Sequence, residues 1–282
     1  MAPMSNRLLV PRKTPGLLDL VPGAAAAYSL RSLSNSYADP VVTVRRSSDD
    51  AEHSFTAAEV ADGTLAAFCG AGDGFVYRWW DQSGNARHAV AAADTNEPKI
   101  VDSGVVVTEE GKPAIQFDGT DDTLKSTSFP ALGTGVLSTF LLFRFFDVTG
   151  YRTPLHIGGG ANNSGLLYTS DGLTNDGNVR VGRIGGDFLV TTTSTGFNAT
   201  LFSGIRTGLT VFNLYFNGAA TSPASGNPTG MNITSGLSIG SSVYAGGSQF
   251  LNGTVSEVIV YSSELTSQRE LIEGNIAWSY SQ

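Results

Sequence analysis

The sequence predicts an all-β domain of two stacked antiparallel sheets, with a few short helices and one helix at its C-terminal end. Three observations lead there. Glycine occurs 34 times and proline 11 times in 282 residues without a G-X-Y period, so turns are dense and collagen is excluded. Charged residues make up 15% of the chain against 41% hydrophobic, the reverse of a disordered composition. After Pro98, short β-branched runs alternate with turn residues at a spacing that fits about a dozen strands in two sheets.

Residues 1–16 carry Arg7, Arg12 and Lys13, three prolines and no acid. Proline cannot donate to a ladder and disfavours helix before it, so an extended arm over residues 1–23 is expected, with the sandwich over 24–282. A frayed terminus is the plainer reading of the same composition. Ala24 to Leu33 (AAAAYSLRSL) has helix-forming composition and is expected to cover one end of a sheet. Val41 to Arg46 reads as a strand. Thr56 and Glu59 stand in capping-box spacing, which satisfies two orphaned backbone donors and opens a short helix. Phe75 to Trp80 is a strand that ends in Asp81-Gln82-Ser83-Gly84-Asn85, where Asp and Asn bond their own backbone and Gly supplies a positive φ.

Further strands are expected at 104–108, 114–117, 136–146, 153–157, 165–168, 179–184, 188–193, 199–206, 210–216, 236–239 and 253–261. Asn217-Gly218 is a two-residue hairpin signal. From Ser267 to Tyr280, Leu271, Ile272, Ile276 and Tyr280 fall near helical spacing behind Thr266 as an N-cap, and this apolar stripe must dock on the sandwich.

Composition also excludes functions. With 17 basic against 25 acidic residues the formal charge is −8, and without a basic cluster in the body nucleic-acid binding is not expected. The single cysteine, Cys69, excludes an intramolecular disulfide, and His53, His88 and His156 lack zinc-ligand spacing. The longest apolar candidate, Val136 to Val148, is broken by Arg144 and Asp147, so no membrane span is expected, nor a secretory signal. Between Phe188 and Ser256 the only Asp, Glu, Lys or Arg is Arg206. Such a neutral polar stretch suits a surface that hydrogen-bonds sugars, an exposed viral β-structure, or a solvent-facing sheet without a ligand.

Candidate site residues are sparse. Asp118, Asp121 and Asp122 could hold Ca²⁺, although the same run is ordinary turn chemistry; neither metal nor cofactor is expected. There is no G-x-S-x-G elbow, and Gly158-Gly159-Gly160 and Gly185-Gly186 lack phosphate-loop context. Candidates for glycan contact are Trp80, Asp81, Gln82, Asn85, Tyr151, Tyr168 and Tyr244: aromatics in glycine-rich settings and polar groups beside them. Asp81 is read as ordering its turn ahead of any catalytic role. Trp79 and Trp80 are adjacent, so in a strand one points inward and one outward.

Two stretches carry a resemblance. Phe117-Asp118-Gly119-Thr120-Asp121-Asp122, with Leu237-Ser238-Ile239-Gly240 and Phe250-Leu251-Asn252-Gly253-Thr254-Val255-Ser256-Glu257-Val258, resembles the concanavalin A-like, laminin G-like jelly rolls over about residues 100–282. Ala27-Tyr28-Ser29-Leu30-Arg31, Val44 to Asp49 and Trp80 to His88 resemble the opening of the catalytic domain of B-type α-L-arabinofuranosidases. That resemblance implies a nucleophilic Glu in the central sandwich, an acid/base Asp just after the L-x-I-G strand, and a pair of adjacent cysteines in the sugar pocket. Here no Glu lies between Glu110 and Glu257, Gly240-Ser241-Ser242 follows the strand, and Cys69 is alone. Catalysis is therefore not expected.

An arm like Arg7 to Arg12 is similar to those heading structural proteins of tailed bacteriophages. The leading expectation is thus a non-enzymatic virion protein: a capsid decoration, head-fibre or tail-associated component, made in the host cytoplasm. It would be anchored on capsid or tail proteins through Arg7, Leu8, Leu9, Arg12 and Lys13, display its sandwich to host or environmental glycans, and could pack as a homo-oligomer. The alternatives are a carbohydrate-binding module and an arabinofuranosidase-like glycoside hydrolase.

Overall fold

The computed structural model describes residues 14–161, 164–170, 172, 178–183, 188–194, 197–208, 211–221, 231–242 and 249–280. Every strand pairing among them is antiparallel. The two longest strands, Leu137–Phe145 and Asn252–Tyr261, lie side by side. Alternation along them separates two apolar layers, because successive side chains leave opposite faces. Leu141, Phe143, Phe145, Val255, Val258 and Val260 enter the main core between the sheets. Phe140, Leu142, Ile259 and Tyr261 face a second core, closed by Leu17, Val21, Leu33, Ile272 and Ile276. A bulge between Leu142 and Phe143 keeps that alternation in step with the partner strand.

The sheet divides at the strand Gly74–Trp79. Its first half pairs with Lys99–Asp102, which leads through Ile115–Asp118 to the long central pair. Its second half pairs with Ala89–Val90, which leads through Leu124–Ser126 and Leu237–Ile239 to Leu155–Gly158 and Gly165–Ser170. The two branches are the layers of the sandwich. A bulge in the pairing with Val42–Arg46 sets Thr43 opposite Arg78 and Val44 opposite Val76. The extra residue turns Val76 and Trp79 into the core, while Phe75, Arg78 and Trp80 remain half-buried on the outer face.

Several expectations hold. Thr56 caps the helix Ala57–Ala61, with Glu59 returning a hydrogen bond of 2.8 Å from the Thr56 N–H. Asn217 and Gly218 take φ of 47° and 82°, the doubly positive geometry of a tight hairpin. The terminal helix runs Arg269–Tyr280 and docks through Ile272 and Ile276.

Others are corrected. Ala26–Ser29 is a strand instead of a helix: its four side chains, Tyr28 included, are wholly buried and its backbone pairs with Glu257 to Val260. Tertiary pairing has overridden local helix propensity there. The arm expected over residues 1–23 is not extended where it is described, because Leu17–Leu20 forms a helical turn that buries Leu17 in the second core. Arg7, Leu8, Leu9, Arg12 and Lys13 lie outside the described residues. Nor is the charge-poor stretch a displayed neutral surface where Thr200–Arg206 crosses it, since that strand is buried throughout. No helix among the described residues is long and apolar enough to cross a membrane.

Candidate functional site

The position where the resemblance places a catalytic acid is filled by hydroxyls. Ser241 and Ser242 are buried, and Ser241 Oγ lies 2.6 Å from Thr123 Oγ1 and 3.0 Å from Ser238 Oγ. A closed triangle of neutral hydroxyls has no proton to give at neutral pH. The preceding Gly240 is required by packing: φ is 82°, and a Cβ would fall 2.2 Å from the ring of Phe117. The two motifs that carry the jelly-roll resemblance thus touch each other, in a structural role.

The strongest chemical cluster lies elsewhere, on the branch of the sheet that passes through Lys99–Asp102. The register aligns Arg45, Phe75, Lys99 and Gln116 as cross-strand neighbours on one face. With Asp94, Glu97, Asp118 and Asp122 they line a cleft of about 450 Å³. Arg45 holds its guanidinium 5.1 Å above the Phe75 ring, donates to Glu97 Oε2 at 2.8 Å and pairs with Asp50 at 2.7 Å. Lys99 is held by Asp73 and Asp102, each at 3.0 Å.

Two carboxyls of this cleft are strongly perturbed. Burial pushes Glu97 up to about 7, against the opposing pull of Arg45. Asp122 is raised to about 7, by burial first and then by the neighbouring carboxylates of Asp118 and Asp121. Raised carboxyls gathered in a cleft mark sites that handle polar ligands or protons. The ligand oxygens of Asp118, Asp121 and Asp122 lie within 4.8 Å of one another, but Asp118 also accepts from Thr120 N and Asp122 from Asp118 N, as a turn requires.

The glycan-contact residues expected from sequence are scattered. Asp81 is buried and accepts from the N–H groups of Ala27, Ser83 and Arg87 and from Ser83 Oγ, so it orders its turn. Gln82 is buried and bonds the backbone of Ser29, Arg31 and Leu33. Asn85 donates to the carbonyls of Ala24 and Ala25. Tyr168 is wholly buried against Thr139 and Phe202, which leaves no face for a sugar. Tyr151 is exposed, Trp80 is half-buried with its Nε1–H on Thr43, and Tyr244 lies outside the described residues. Sequence reading missed Arg45, Phe75, Glu97, Lys99 and Gln116, because they converge only through the registers of four strands.

Fold and clefts together define the class, an antiparallel β-sandwich of the jelly-roll kind with polar clefts on its outer faces. No protein-family model and no curated protein matches the sequence. Among solved structures, the chain is similar to an arabinofuranosidase in complex with arabinofuranosyl-α-1,2-xylobiose, at TM-score 0.66 and 17% identity. It is likewise similar to a mutant GH54 α-L-arabinofuranosidase soaked with 4-nitrophenyl α-L-arabinofuranoside, at TM-score 0.68 and 16% identity. Each match covers 90% of this chain, which spans 62% of the length of those proteins. A Trypanosoma rangeli sialidase matches at TM-score 0.51 and 15% identity, over 72% of this chain and 31% of its own. These matches overturn the expectation of a virion structural protein: the architecture is the one seen in glycosidases, and the arm meant to anchor it is docked where it is described.

Proposed function

We propose that the chain is a carbohydrate-recognition domain built on a glycosidase-type sandwich. The observation that carries this reading is the cleft around Arg45, Phe75, Glu97, Gln116 and Asp118. It combines carboxylate acceptors, an amide able to give and take, and an aromatic ring, the mixture that sugar hydroxyls and C–H faces match. Its volume suits one or two sugar units. The hydroxyl triangle at Ser241 argues that recognition is not coupled to the catalytic arrangement of the arabinofuranosidases.

Calorimetric titration with neutral oligosaccharides, beginning with arabinofuranosyl-α-1,2-xylobiose and widening to an array, tests this. Glu97→Gln and Gln116→Ala should each weaken binding about tenfold, the loss of one to two hydrogen bonds to the ligand. Absence of binding across neutral glycans, or equal binding by the variants, would refute the reading.

A second reading rests on the two raised carboxyls, since glycoside hydrolysis needs one carboxyl protonated near neutral pH. Release of nitrophenol from 4-nitrophenyl α-L-arabinofuranoside, lost in Glu97→Gln or Asp122→Asn, would establish it. No release alongside measurable binding is the outcome the recognition reading expects.

A further inference from the structure

A second groove, of about 410 Å³, lies on the other branch of the sheet. Its register places Arg78 opposite Val90 and Val90 opposite Lys125. Strand spacing therefore puts the backbones that carry the two cations roughly 10 Å apart across an apolar floor. The bulge in the Gly74–Trp79 pairing is what turns Arg78 to this outer face.

Every polar side chain lining the groove can donate: Arg78, His88, Lys125, Thr127 and Ser128. His88 Nδ1 accepts from the Asp81 N–H at 3.1 Å, so a neutral imidazole carries its proton on Nε2. Burial and the nearby Arg78 lower its pKa and keep it neutral. No carboxylate among the described residues lines the groove. Arg78 stacks 5.1 Å over Trp80, its Nε is buried without a hydrogen-bond partner, and Lys99 is the only lysine among the described residues in a salt bridge. Two cations without a salt-bridge partner among the described residues thus face one groove, in a chain of net charge −8.

We infer that this groove binds the carboxylate of an acidic sugar, a uronic acid unit of a glycan, with Arg78 and Lys125 on the anion and the ring over Val90. The inference rests on the carbohydrate-recognition reading and extends it to a second, charge-selective subsite. The net negative charge disfavours a nucleic-acid phosphate as the anion. The apolar floor favours a ring-bearing ligand over a free inorganic anion.

The test compares galacturonate oligomers with their methyl esters, which replace each anionic carboxylate by a neutral ester with one added methyl group, and with dextran sulfate. The acidic oligomer should bind at least about tenfold tighter than the ester, and that preference should shrink with added salt. Arg78→Gln and the exposed Lys125→Met should each abolish it, the second without risk to folding. Equal binding of acid and ester overturns the inference, and if neutral glycans still bind at the Glu97 cleft the recognition reading stands. Binding of dextran sulfate alone overturns the carboxylate assignment. Binding of no glycan at all, acidic or neutral, overturns both.

Discussion

Arg31 grips Glu257 with two nitrogens: Nε reaches Oε2 at 2.9 Å and Nη2 reaches Oε1 at 2.8 Å. Ser29 Oγ adds a third bond to the same carboxylate, and Arg31 Nη2 also donates to Asn275 of the terminal helix at 3.0 Å. The buried glutamate of the closing motif thus ties the first strand, the last strand and the last helix together. Glu257→Gln or Arg31→Ala should cost about 3 kcal/mol, because breaking a buried pair leaves its partner uncompensated. Urea unfolding measures this, and a loss below about 0.5 kcal/mol would show the clamp to be dispensable.

Gly240→Ala should be poorly tolerated. A Cβ there meets Phe117 at 2.2 Å with φ at 82°, so both the ring and the backbone would have to move. Overpacking and a left-handed non-glycine residue together cost about 2–4 kcal/mol. Thermal unfolding should show a drop of several degrees, whereas Gly84→Ala, whose Cβ meets nothing within 4 Å, should carry the backbone penalty alone.

The raised carboxyls give a signed pH dependence. Glu97 and Asp122 move from ordinary values of 4.5 and 3.8 to about 7, so the folded protein keeps protons that the unfolded chain has released. Their contribution to stability is greatest at low pH, falls as pH rises toward 7, and is level beyond. His156, lowered to about 4 by burial, acts in the opposite sense between pH 4 and 6.5. Asp122→Asn should therefore gain stability relative to the parent as pH rises from 4 to 7. A pH-independent difference between the two would refute the assignment.

Asp81→Ala should destabilise without altering glycan affinity of the folded protein. Its carboxylate satisfies three backbone N–H groups, and unpaired buried donors cost about 1–3 kcal/mol each. A selective loss of glycan binding at unchanged stability would return Asp81 to the list of contact residues.

Much of the fold was legible in the chain. The apolar runs at Leu137–Phe145 and Asn252–Tyr261, the Thr56 cap and the Asn217-Gly218 turn are local signals, written in stretches of a few residues. Ala26–Ser29 misled because the alanine-rich run that enters it suits a helix and a buried strand equally, and only Glu257 to Val260 alongside decides between them.

Sequence by itself determined the all-β class, the turn role of Asp81 and the lack of a carboxylate in Gly240-Ser241-Ser242 directly after Ile239, since composition and short-range spacing suffice for each. Tertiary structure alone decided where chemistry gathers. Arg45, Phe75, Lys99 and Gln116 meet, as do Arg78 and Lys125, because strand register and two bulges bring distant segments together at each site. Register depends on the packing of the whole sheet, and a shift of one residue would send each of these side chains to the opposite face.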